Sequence, residues 1–254
     1  MRDPMAGEAG DTISINKSDS GTWYLGGENK FTSGTGGKTT FTVSGGTLHL
    51  YRADEVNNPT TTNSNAMVTT GTISLDGSGS SFTLGSGATL SLGGVGHEIK
   101  VGGGTAGTIT IAGGATLVFN MAGATTSTVN LTLSAGSITV GGTASFTTRV
   151  DLNVTGLSAG TYSLIDYASL SISARDITLG SVTGLGAGLS GTLTPGDTKL
   201  TYTIAEVADP TDPDGNTVRT VVGAENENLS DDDKTRFRSG DGMIFVNNSS
   251  NSSV

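Results

Sequence analysis

From Asp11 to about Val207 the chain is a succession of short alternations, with apolar and polar residues changing places for four to six positions before a Gly, often a Gly pair, interrupts them. Alternation at period two predicts β-strands that are buried on one side and wet on the other, and the glycines predict tight turns between them. Four stretches share one outline: Phe41 to Leu50, Phe82 to Leu92, Ile109 to Phe119 and Ile138 to Phe146 each read apolar-Thr-apolar, a Gly turn, then apolar-x-apolar. The starting positions 82, 109 and 138 lie 27 and 29 residues apart, and the longer step from 41 to 82 contains an insertion, Ala53 to Asn65. Ile73-Ser-Leu75, Ile99-Lys-Val101 and Val129-Asn-Leu-Thr-Leu133 predict further strands between them.

A unit with one apolar edge cannot close a core by itself. Stacking units with like residues above like buries the edge as a continuous column, which is the logic of a solenoid. The expectation is an all-β fold, a parallel β-helix over residues 11–207, with Val43, Leu84, Ile111 and Val140 in one inward column. At roughly 20 to 30 residues per coil and about 4.8 Å per coil, some seven to nine coils would form a rod of about 35 to 45 Å. The rival is a β-sandwich, which needs alternating strands and Gly turns but no recurrence in phase. Residues 1–10 read as a start or disordered stretch outside the fold. The prolines and aspartates of 208–217 read as a linker, and 218–254 as a largely irregular acidic tail in which Met243 to Val246 is apolar enough for one short strand.

Composition sharpens this reading. The 254 residues include 40 Gly, 41 Thr and 29 Ser, a mixture that disfavours helices and excludes a helix-rich enzyme or a coiled coil. Charged residues make up 14%, against roughly 25% in ordinary soluble domains, so the surface is mostly hydroxyl and backbone. A net charge of −10 and thirteen scattered Lys and Arg argue against nucleic acid as a partner. The absence of Cys excludes disulfides and thiolate metal sites. No apolar run approaches the roughly 18 residues of a spanning helix, and the first dozen residues have no apolar core of a signal peptide.

The run Gly46-Thr-Leu-His-Leu-Tyr51, the insertion, then Gly71-Thr-Ile-Ser-Leu75 and Phe82 to Leu90 resemble the autotransporter-associated β-strand repeat of bacterial surface proteins. Gly156-Leu-Ser-Ala-Gly-Thr-Tyr-Ser-Leu-Ile-Asp166 resembles the G-x-Y-x-L-I-D segment near the end of such passengers. Together the similar stretches span roughly residues 40 to 205. The resemblance implies a right-handed β-helix exported across an outer membrane, an extracellular or outer-membrane surface location, and a role in adhesion, surface coating or hydrolysis. The chain departs from the family's usual plan in lacking the amphipathic strands of a translocator barrel.

Few residues offer chemistry. Asp19-Ser-Gly-Thr22 matches the D-[ST]-G-[ST] signature of aspartic peptidases, where two carboxyls share a proton and activate water. Only one copy is present, so a catalytic Asp19 requires a homodimer, and the residues before it are polar where the peptidase motif follows an apolar strand. The competing reading is a turn in which Asp19 bonds its own backbone. Asp209, Asp212 and Asp214 beside Gly215 suggest calcium, but the spacing departs from a calcium loop and favours a solvated linker. No other metal site or cofactor is expected. His49 falls on the outer face of its strand, and His97 in a turn between Gly96 and Glu98; neither has a second His beside it for zinc. Trp23 and Tyr24 either stack on sugar rings or cap the open end of the first coil, and Tyr51 is a third candidate binding ring. Tyr51, Tyr162, Tyr167 and Tyr202 are too dispersed along the chain to define a carbohydrate platform from sequence.

The expected function is that of a secreted or surface-exposed structural or adhesive module, whose rod face and inserted loop contact a host glycoprotein or other surface ligand. The alternative is an extracellular hydrolase, in its strongest form an aspartic-type peptidase acting on glycoproteins through Asp19.

Overall fold

The computed structural model of the protein describes residues 10–33, 36–51, 71–121, 123–141, 146–167 and 176–207. Three strands make each coil. The first coil holds β1 (Thr12–Lys17), β2 (Thr22–Gly26) and β3 (Glu28–Phe31); the second holds β4 (Lys38–Val43), β5 (Thr47–Tyr51) and β6 (Thr72–Leu75). The third is β7 (Ser81–Leu84), β8 (Thr89–Gly93) and β9 (His97–Val101), and the fourth β10 (Thr108–Ala112), β11 (Thr116–Asn120) and β12 (Val129–Ser134). The fifth is β13 (Ser137–Gly141), β14 (Thr148–Asn153) and β15 (Gly160–Tyr167). β16 (Ile177–Thr183) begins a sixth turn, which a hairpin of β17 (Leu189–Pro195) and β18 (Lys199–Glu206) then ends.

Each of β1 to β12 pairs in parallel with the strand three places later and β14 pairs in parallel with β16, which generates three sheets. The first sheet runs β1-β4-β7-β10-β13, the second β2-β5-β8-β11-β14-β16, and the third β3-β6-β9-β12-β15-β18-β17. This is a parallel β-helix, and it excludes the sandwich. Only the last hairpin is antiparallel, β18 pairing with both β15 and β17.

Register turns the repeated sequence into columns. Val43 pairs with Leu84, Leu84 with Ile111 and Ile111 with Val140, all buried, as the alternation predicts. Beside them run Phe41, Phe82, Ile109 and Ile138, and in the second sheet Leu48, Leu90, Leu117 and Val150. Within the stack each apolar residue is thus covered by its counterparts on the neighbouring coils, and burial of each contributes about 1.5–3 kcal/mol against exposure.

Two expectations change. Among the described residues five coils are complete instead of seven to nine, so the stack spans roughly 20 Å at about 4.8 Å per coil. One coil takes the chain from Ser81 to Thr108 and the next from Thr108 to Ser137, near the long end of the expected length, and residues 189–206 form a hairpin in place of another coil. His97 is not in a turn: it opens β9, points inward in register with Leu131, is buried, and its Nε2 lies 3.2 Å from the carbonyl of Gly93.

The tyrosines of the later coils serve the core. Tyr162, Tyr167 and Tyr202 are buried where the hairpin meets β15. The hydroxyl of Tyr162 donates to Ser158 O at 2.9 Å and that of Tyr167 to Gly196 O at 2.5 Å. Burial pushes the phenols of Tyr167 and Tyr202 above their ordinary range, so both stay protonated.

The chain divides into two units at Glu206/Val207, and every strand described above belongs to the first. Residues 1–9, residues 52–70 with the insertion Ala53 to Asn65, the linker and tail at 208–254, and with them Asp209, Asp212 and Asp214, lie outside the described residues. Among the described residues no helix is long and apolar enough to cross a membrane.

Candidate functional site

On the outer face of the second sheet, register brings together rings that the sequence keeps apart. Tyr24 pairs with His49 across β2 and β5, and Gly26 with Tyr51. The Tyr24 and His49 ring centroids are 5.3 Å apart, edge to face; Tyr51 lies 6.3 Å from each, nearly parallel to His49 and edge-on to Tyr24. Such contacts contribute about 0.5–1.5 kcal/mol each beyond area burial, enough to hold the rings as a patch. The Nδ1 of His49 is 2.9 Å from Ser91 Oγ on the next coil, which fixes the imidazole. Tyr24 remains 62% exposed, the largest exposure of any big apolar side chain described.

Gly26 is what lets Tyr51 lie down on the sheet. A Cβ at position 26 would sit 2.6 Å from the Tyr51 ring, so any other residue there would lift the ring away. The platform therefore consists of two tyrosines, one histidine and one glycine, drawn from two coils.

Past Gly27 the chain enters β3, and the outer face of the third sheet carries a shallow polar groove of about 470 Å³. Its floor is Thr72 and Ser74 of β6; Glu28 and Lys30 form one wall, Glu98 and Lys100 the other. Like charges are two strands apart with a hydroxyl between them, and opposite charges follow each other along a strand. Lys30 also pairs with Asp76 at 3.7 Å. Aromatic faces beside a groove of carboxylates, ammoniums and hydroxyls suit a polyol with one apolar face, which is the chemistry of a saccharide.

The remaining candidates are placed differently. Trp23 points inward above Leu48, half-buried, with the Lys17 ammonium 5.9 Å from its ring centroid. It caps the first coil and takes no part in the platform. Asp19 lies on the turn between β1 and β2, and its carboxylate pairs with the buried ammonium of Lys17. A shared-proton dyad sets a carboxyl against a carboxyl; here the group against Asp19 is a cation. Among the described residues no cluster of three or more His, Asp or Glu is placed to hold a metal ion.

At the far end of the same outer face, Asp151 of β14 is a second ordered polar element. Partial burial pushes its carboxyl up, but the Ser181 N–H at 2.6 Å and the Arg149 guanidinium at 2.8 Å outweigh this and hold it below the ordinary carboxylate range. A carboxyl whose folded pKa is lowered lends stability that is complete above the unfolded value and is lost as pH falls through the folded one. Asp151→Asn is expected to flatten the fall of the urea midpoint between about pH 5 and about pH 2. An unchanged slope would show that these bonds contribute nothing.

The signal for Tyr24 and Tyr51 was present in the sequence, since both stand at outward positions of aligned strands. His49 joins them for the same reason, and only the strand register shows it. No family model, no curated protein and no solved structure matches this chain.

Proposed function

We propose that the β-helix is the binding module of a secreted or cell-surface bacterial protein, similar in plan to an autotransporter passenger, and that it takes the glycan of a host glycoprotein on the Tyr24, His49 and Tyr51 platform and the groove beside it. One observation carries this reading: three rings on an outward sheet face, one of them largely exposed, packed against each other and around a glycine instead of into the core. One sugar of the glycan stacks its C–H face on such rings, and the hydroxyls of further sugars along it meet Glu28, Lys30, Glu98 and Lys100.

The test is titration calorimetry with mucin-type oligosaccharides. Tyr24→Ala and Tyr51→Ala are each expected to weaken binding about tenfold, the loss of one stacking contact of roughly 1.4 kcal/mol, while lowering the melting temperature by only a few degrees, since each substitution removes ring contacts but no support of the core. Binding that survives the double substitution would place the glycan elsewhere or remove it from the reading.

A further inference from the structure

The outer face of the first sheet differs from the other two. Its central outward positions form two straight rows, each crossing all five strands. Ser14, Thr40, Ser81, Thr108 and Ser137 make one. Asn16, Thr42, Thr83, Thr110 and Thr139 make the other. Nine of these ten side chains carry a hydroxyl and none is charged. Lys38, in register with Thr12 at the edge of the same outer face, is the charged side chain on it and stands outside both rows. The same coils place Glu28, Lys30, Glu98 and Lys100 on the third sheet and Arg149 and Asp151 on the second. Strand propensity accounts for Thr on any of these faces, but it does not account for the two central rows of this one being free of charge across all five strands.

The rows form a lattice. Adjacent strands are about 4.8 Å apart and successive outward residues on one strand roughly 6.6 Å apart, and the pairings in this sheet run without a register shift. β-branched Thr is stiff at χ1, so its hydroxyl and methyl hold fixed positions. Thr40 Oγ1 lies 3.2 Å from Ser14 Oγ across the first pair of strands, which orders the row further. Liquid water has no fixed two-dimensional repeat to match such an array. Crystalline water has one: on the prism faces of hexagonal ice the oxygen atoms repeat at spacings close to both of these steps. Charged side chains, which hold hydration shells that do not fit an ice lattice, are the residues missing from the rows.

We propose that this face binds ice, the two hydroxyl rows taking the place of ordered water at the crystal surface and the Thr methyl groups filling the spaces between. Each hydroxyl contributes little alone; ten positions fixed on one rigid sheet engage together, at no cost in ordering the protein. The site is on a different sheet from the glycan platform and stands or falls independently of it.

The experiment is slow freezing of the full-length chain onto a cold finger, measuring its partition between ice and liquid, with microscopy of single ice crystals near their melting point. The unsubstituted protein is expected to be enriched severalfold in the ice and to shape the crystals. Thr83→Lys/Thr110→Lys, in the middle of the array, is expected to be rejected from the ice like an ordinary solute. Thr139→Lys, exposed on the edge strand β13, gives a milder loss and guards against misfolding of the double variant, and circular dichroism checks both. Thr192→Lys/Thr194→Lys, the same chemical change on exposed positions of β17, is expected to leave partition unchanged. Rejection of the unsubstituted protein to the same extent as Thr83→Lys/Thr110→Lys would overturn the proposal. So would sedimentation showing a dimer that dissociates in that variant, since the face would then belong to a second copy of the chain.

Discussion

Phe82→Ala is expected to destabilise the β-helix by about 3–5 kcal/mol, read as a shift in the urea midpoint at constant slope. Phe82 stands in the third of five coils, fully buried, with Phe41 in register below it and Ile109 above. The Phe41 and Phe82 ring centroids are 5.7 Å apart. In a solenoid each coil touches only its neighbours, so a cavity in the middle of a column weakens two interfaces, and coils on both sides lose their support. The end of the same column supplies the comparison. Ile15, in register with Phe41 but half-buried on the first coil, has one neighbour in the column, and Ile15→Ala is expected to cost markedly less. Equal losses at the two positions would mean that the column does not act through stacking.

The contrast between Phe82 and Ile15 also shows what the sequence made legible. Strand positions and inward columns followed from period-two alternation recurring in phase, because in a parallel stack every coil solves the same packing problem with the same residues. The number of coils did not follow. Coil length depends on the turns, and 189–206 alternate like coil strands but fold back as a hairpin; nothing in a single alternating segment says whether its partner lies one coil away or across a turn. His97 was misplaced because Gly96 before it reads as a turn, while the strand begins one residue later. The platform was half legible. Tyr24 and Tyr51 were candidate rings that read as dispersed along the chain, and their meeting depends on Gly26 being in register with Tyr51, a pairing that only the ladder between β2 and β5 reveals. The hydroxyl rows were visible as single Thr residues, and become a surface only once five strands align.

Lys17 is the least expected residue of the core, and its removal separates the two functions that Asp19 suggested. It occupies the inward column of Val43, Leu84, Ile111 and Val140, is fully buried, and bends its ammonium into the corner between the first two sheets. There it donates to Asp19 O at 3.0 Å and Gly45 O at 3.1 Å and pairs with the Asp19 carboxylate. The corner is built around it. Gly46, at φ +60°, has its hypothetical Cβ 2.6 Å from the Lys17 Nζ, so a side chain there would collide with the ammonium. Asp19→Asn leaves a buried cation without its counter-ion; a fully buried pair broken this way costs about 3–5 kcal/mol. Because the Asp19 side chain is 64% exposed and water screens it, a loss of about 1–2 kcal/mol is expected. Lys17→Met/Asp19→Asn is expected to recover that loss, since Met continues the apolar column and no charge remains to be paired. A catalytic Asp19 predicts the opposite pattern: full stability in Asp19→Asn, cleavage of casein by the unsubstituted protein, and no recovery of that cleavage in the double variant. Stability measured by urea and proteolysis measured on the same three proteins therefore decide whether D-S-G-T in this chain is the cap of a solenoid or half of an active site.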